Sequence, residues 1–267
     1  MTSSDEPAVS VYGRQLLLLG PKRNSVLELW EVQRYGTDTF GNPDYLRLYG
    51  LSPAVWYARG IRVLGRTAVE CTPDHVADTI GRDVAQAAGP LGAEAIVIDP
   101  FVGSANTLYW IMQNLPGARC IGFELDPQVC RLTQQNLSIL GLPIEVSLAD
   151  YAQALRHQRR PPDALVIAFI APPWGEAFTP SHGLDLRRTA PPVREIVGTF
   201  LTLFTNPLLL AVQLVQNTLP ASLTELKSRF DWSVLHIYDS SKSTDNRNGL
   251  LLAGRGWRPD SLTTSRG

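Results

Sequence analysis

The chain has 267 residues, room for one large α/β unit plus an appendage, and its 44% hydrophobic and 18% charged residues suit a buried core rather than a disordered chain. A formal net charge of −1 excludes a molecule-wide positive field for sequence-blind binding to a polyanion. Three cysteines, Cys71, Cys120 and Cys130, lack CxxC spacing and read as buried thiols rather than a metal or redox centre.

In residues 1–90 aromatic and polar side chains mix, and Pro and Gly break the pattern often. One helix is clear there. It starts at Thr72-Pro73-Asp74 and runs to about residue 88, with Thr72 as the expected cap, Pro73 at the first helical position and Asp74 complementing the dipole. Trp56, Tyr57, Tyr45 and Tyr49 read as packing residues at their mixed spacing. From about residue 91, short apolar runs alternate with helical segments, which predicts a parallel sheet with crossover helices. The strands are AEAIVID (93–99), ARCIGFEL (118–125), PIEVSLAD (143–150), DALVIAFI (163–170) and LLLAVQLVQ (208–216). Between them TLYWIMQNL, DPQVCRLTQQNLSILGL (126–142), VREIVGTFLTLF (193–204) and PASLTELKSRF (220–230) read as helices, the second bounded by Asp126 and Gly141. WSVLHIYDS and GLLLAGRGW flank the polar SKSTDNRN and read as a closing antiparallel hairpin. The expectation is a Rossmann-like α/β unit with seven strands over 91–267, and an appendage or lid over 1–90 that contributes to an acceptor pocket.

Four places carry chemistry. The turn Asp99-Pro100-Phe101-Val102-Gly103-Ser104-Ala105-Asn106-Thr107 joins a strand to a helix at the carboxyl edge, where open α/β sheets bind ligands. Gly103 lets the backbone approach closely, the helix N-terminus offers amides to a carboxylate, and Asp99 suits an ammonium group. Glu124 ends the second strand, 21 residues after Gly103, and an acceptor-only carboxylate there suits both hydroxyls of a ribose. Asp150, ending the third strand, can accept from an adenine amino group. S-adenosylmethionine (SAM), with an amino-acid head, a ribose and an adenine, would suit these three places. Last, Ile170-Ala171-Pro172-Pro173-Trp174-Gly175 follows the fourth strand. Two prolines fix the backbone so that its carbonyls can hold an amine, and Trp174 can stack on a flat or cationic acceptor.

DPFVGSANT (99–107) is similar to the DPFxGSGxT turn of amino-methyltransferases acting on nucleobases, and APPWG (171–175) resembles their (D/N/S)PP(Y/W) signature. TAVECTPDHVADTI (67–80) resembles the segment before the SAM site in trimethylguanosine synthase-like enzymes, which share PPWG. The resemblance covers about residues 65–180. It implies a class I methyltransferase sheet and N-methylation. SAM would be held by Thr72, Asp99, Phe101, Gly103, Asn106, Thr107, Glu124, Asp150 and Ala171, and released as S-adenosylhomocysteine. Pro172 and Trp174 would meet the acceptor. Two departures stand out. Ala105 replaces a glycine, so the turn is expected to avoid the left-handed region there. Ala171 replaces Asp, Asn or Ser, which leaves the amine to backbone carbonyls.

His182, just after PPWG, is the candidate base. No histidine pair has metal-ligand spacing, so no metal is expected. Residues 1–90 carry nine Lys/Arg against ten Asp/Glu, which shifts the expected acceptor from RNA or a cap guanine toward a small, flat, nitrogen-containing molecule. A non-catalytic binding protein on the same fold is the alternative of another class. The start MTSSDEPAVSVYG has no apolar signal core, and no apolar run reaches the about 20 residues that cross a bilayer, so a cytoplasmic protein without a membrane partner is expected.

Overall fold

The computed structural model describes residues 12–158, 163–179, 181–205, 207–238 and 248–259. Among them, α1 (Arg14–Leu17), α2 (Leu29–Phe40), α3 (Pro53–Ala58), α4 (Gly65–Glu70) and α5 (Asp74–Ala88) precede the sheet. Then come β1 (Ile96–Asp99), α6 (Asn106–Asn114), β2 (Arg119–Glu124), α7 (Pro127–Leu140), β3 (Ile144–Leu148), α8 (Tyr151–Ala154) and β4 (Val166–Ile170). A small hairpin of β5 (Phe178–Thr179) and β6 (Gly183–Leu184) precedes α9 (Val193–Leu203) and β7 (Leu208–Val215). The series closes with α10 (Pro220–Lys227), β8 (Trp232–Ile237) and β9 (Asn248–Arg255).

Seven strands form one sheet in the order β3-β2-β1-β4-β7-β9-β8. β9 alone runs against its neighbours, inserted between β7 and β8. This is the Rossmann-like class I methyltransferase sheet expected from the alternation of elements. Most of the loop SKSTDNRN between its last two strands lies outside the described residues.

β4 and β7 are buried along their whole length, because helices cover both faces. Alternate residues therefore serve two cores. Val97, Ile167, Leu209 and Ala211 pack with Ile80 and Val84 of α5 and Leu108 and Ile111 of α6. Ile98, Ala168, Leu210 and Val212 pack with Ile196, Val197 and Phe200 of α9. Fully burying one such side chain contributes about 1.5–3 kcal/mol. The first core also takes in Leu27, Trp56 and Ile61, so the segment before the sheet shares its apolar interior with the sheet.

α7 follows its sequence signals. Asp126 accepts from the amides of Gln128 (2.9 Å) and Val129 (3.0 Å), and a left-handed Gly141 closes the helix. α5 departs from them. Its cap position is Pro73 and no side chain caps it, contrary to the expectation for Thr72. The Thr72 hydroxyl is instead 3.0 Å from Oε1 of Gln213 on β7, a pairing 141 residues apart in the chain. A hydroxyl drawn into a long-range bond is lost to local capping.

Candidate cofactor site

Parallel pairing brings the carboxyl ends of the first four strands side by side. Asp99 is in register with Gly122, Glu124 with Leu148, and Ile98 with Ala168. The β1 turn then folds back onto β2, where the Val102 amide donates to the Phe123 carbonyl (3.0 Å). Gly122 makes this approach possible, since a Cβ there would lie 2.4 Å from the Val102 side chain.

Gly103 sits at the crest of the turn with φ +49°, a conformation glycine adopts without steric cost. Its amide donates to Glu124 Oε2 (3.2 Å) and its carbonyl accepts from the Thr133 hydroxyl (2.6 Å). Ala105 corrects the expectation drawn from the missing glycine. It does lie in the left-handed region, at φ +59°. The cost is about 1–2 kcal/mol. A bond from its amide to the Val102 carbonyl (2.7 Å) and near-complete burial of its methyl group offset that cost.

Two carboxylates face this turn. Asp99 is 3% exposed and accepts from the Phe101 amide (2.9 Å). Burial pushes its carboxyl up to about 7, against the lowering effect of that amide and with a smaller push from Glu124. Glu124 is half-buried and braced at both oxygens, Oε1 by the Asp126 amide (2.9 Å) and Oε2 by Gly103. Two bonds leave lone pairs for further donors. Asp150 is exposed, and its Oδ1 caps α8 by accepting from Ala152 (2.7 Å) and Gln153 (3.4 Å). Phe101 lies half-buried against Tyr151, with ring centroids 5.5 Å apart.

Asn106 and Thr107 are buried in the first turn of α6. The Asn106 side chain is committed to the preceding segment. Its Oδ1 accepts from the Tyr49 amide (2.8 Å), and its Nδ2 donates to the Thr72 carbonyl (2.9 Å) and to Asp74 Oδ1 (3.0 Å). Asp74, which sequence reasoning read only as a dipole partner, is the hub of this region. It is 6% exposed and also accepts from Trp110 Nε1 (2.8 Å) and the Gly50 amide (2.9 Å). Tyr49, at φ +54°, donates its hydroxyl to the Ser104 carbonyl. The sequence marked Tyr49 only as a packing residue, because the partners of these bonds are more than 50 residues away.

The double-proline corner leaves β4 one strand over from this turn. Pro172 is buried, Pro173 is exposed, and Trp174 is half-buried beside Phe178, with ring centroids 5.8 Å apart. Ala171 is partly buried in the core that includes α5 and α6. His182 is exposed in the β5–β6 turn, where its Nδ1 meets the hydroxyls of Thr179 (3.1 Å) and Ser181 (2.9 Å). The turn, Glu124 and Asp99 are thus in direct contact, while His182 is held within its own hairpin. Among the described residues no group of three or more His, Cys, Asp or Glu could hold a metal ion, and no helix is long and apolar enough to cross a membrane.

No protein-family model matches the chain. It is 24% identical over 110 residues to the ribosomal RNA small subunit methyltransferase H of Prochlorococcus marinus (strain NATL2A), a match that covers 41% of this chain and 35% of that protein. The chain thus spans about a third of that relative's length. Among solved structures it is similar to an rRNA methylase from Streptococcus thermophilus, with TM-score 0.43 and 17% identity over 69% of this chain and 98% of that one. It is also similar to a methyltransferase from Geobacter sulfurreducens, with TM-score 0.44 and 14% identity over 70% of this chain and 81% of that one.

Proposed function

We propose that this chain is a SAM-dependent methyltransferase that methylates a nitrogen of a flat, nucleobase-like heterocycle. The observation that carries the reading is the bond between the Gly103 amide and the Glu124 carboxylate at the carboxyl edge of a class I sheet. It joins the two pieces that a nucleoside cofactor with an amino-acid head requires.

The residues fit the group. Asp99 is a buried carboxylate whose described hydrogen bond is to an amide, and it suits an ammonium group. Glu124 is held rigidly by two amides and suits the paired hydroxyls of a ribose. Gly103 leaves the backbone open to close approach. Asp150 lies two residues past the end of β3 rather than on it, at the cap of α8, and would meet an adenine amino group from there. When bound, SAM supplies an activated methyl group on a sulfonium. The protein's share is orientation and desolvation. The fixed carbonyl of Pro172 accepts from the target amine, Trp174 stacks on its ring, and His182 or solvent takes the proton. The near-neutral charge of residues 1–90 favours a small heterocycle. The printed name of the Prochlorococcus relative favours a base within RNA.

Titration calorimetry with SAM tests the reading and separates it from a non-catalytic module. Wild-type protein is expected to bind SAM, and Glu124→Ala to weaken binding by about 1–3 kcal/mol, the scale for hydrogen bonds to a charged group. An unchanged affinity removes Glu124 from the ribose site. A screen of heteroaromatic amines and RNA, read by S-adenosylhomocysteine release, then identifies the acceptor.

A further inference from the structure

α9, α10 and the segment after β6 flank a shallow groove. Its floor is apolar: Leu186, Val193 and Leu226 are 3%, 1% and 4% exposed. Its rim carries three guanidinium groups, from Arg187, Arg194 and Arg229. Arg229 lies along α9, donating from Nη1 to the Arg194 carbonyl (2.9 Å). Arg187 is aimed by Asp185, which accepts from its Nε (2.8 Å) and Nη2 (2.9 Å). The Arg194 side chain is exposed and makes no hydrogen bond or ion pair among the described residues, and the same holds for the side chain of Arg188, next to Arg187 in the chain. Asp185, Glu195 and Glu225 offset part of this charge, and from 187 to 194 the chain carries three arginines. A chain of net charge −1 has gathered cations at one place.

The groove shares a frame with the double-proline corner. The Trp174 carbonyl accepts from the Ala177 amide (2.8 Å), and the Ala177 carbonyl accepts from the amide of Asp185 (2.9 Å), which holds Arg187. Leu184 accepts from the Leu219 amide (2.8 Å), pinning the hairpin to the start of α10. Arg187 is therefore tied through Asp185 and Ala177 to the corner that carries Trp174.

We propose that this groove binds backbone phosphates of an RNA acceptor flanking the methylated base. The proposal rests on the methyltransferase reading above and names its substrate class. Planar guanidinium forks match phosphate oxygens two at a time, and an apolar floor keeps water from competing.

The test measures binding of the full chain to a labelled single-stranded RNA of about 20 nucleotides by fluorescence anisotropy. Salt is varied between about 50 and 200 mM. Inorganic phosphate and a mononucleotide serve as competitors. Arg187→Ala combined with Arg194→Ala is expected to weaken binding and to reduce the salt slope by about 1–2, roughly one per phosphate contact. SAM affinity should stay at the wild-type value. Arg194→Glu alone, at an exposed position outside the Asp185 pair, should weaken binding in the same direction even if the double variant melts early. An unchanged slope in both variants, or phosphate competing as well as RNA, overturns the proposal. Intact SAM binding without RNA binding also overturns it while sparing the methyltransferase reading, and loss of both sinks both.

Discussion

At Asp99, burial outweighs the one amide that donates to it, and the carboxyl rises to about 7 from its ordinary 3.8. An unfolded chain ionises this group near 3.8, whereas the folded chain keeps the proton to about 7. Its contribution to stability is therefore complete below about 4 and is lost as pH climbs through 7. Ligand binding should run the other way, because an ammonium pairs with the ionised form. SAM affinity is expected to rise by about tenfold between pH 6 and 8, and Asp99→Asn to flatten that rise. Calorimetry across this range checks it, and a flat wild-type profile would remove Asp99 from the ammonium site. The placement of Asp99, Gly103 and Glu124 was legible in the sequence because each sits at a fixed offset from a strand end. The conformation of Ala105 was not, since whether a left-handed alanine is tolerated depends on the burial of its methyl group.

Among the elements, the first turns of α5 and α6 are bound through one carboxylate. Asp74 accepts from three donors on two other chain segments, and Asn106 carries that link into the turn between β1 and α6. Asp74→Asn would set a side-chain N–H against one of those donors, a loss of about 1–3 kcal/mol. The expected result is a lower melting temperature together with weaker SAM binding. Phe200→Leu, on the far face of the sheet in α9, should lower the melting temperature and leave SAM affinity unchanged. Equal losses of affinity in both variants would mean that the clamp serves only the fold. The ends of α7 could be read from sequence because Asp126 and Gly141 act locally. The role of Asp74 could not, because its partners lie 24 to 36 residues away. The β5–β6 hairpin also escaped notice, since two-residue strands have no alternation to read.

For the whole molecule, composition placed a boundary near residue 90, yet the apolar interior runs across it. Tyr238 donates to Asp83 of α5 (2.8 Å), tying the last hairpin to the same segment. A fragment starting at residue 91 would expose the face of the sheet that Val76, Ile80 and Val84 cover. It is expected to lack a cooperative thermal transition by circular dichroism. A sharp melt near the full-length temperature would establish residues 91–267 as an independent unit.

The reversed strand has a further consequence, for synthesis. Among the described residues β8 pairs with β9 alone, and β9 is translated after it. Until Arg255 clears the ribosome, β8 has no neighbour to join, and the apolar edge of β7 faces solvent with its backbone donors and acceptors unmet. The sheet can close only after synthesis has passed that residue, so the last two strands must join it together rather than one at a time.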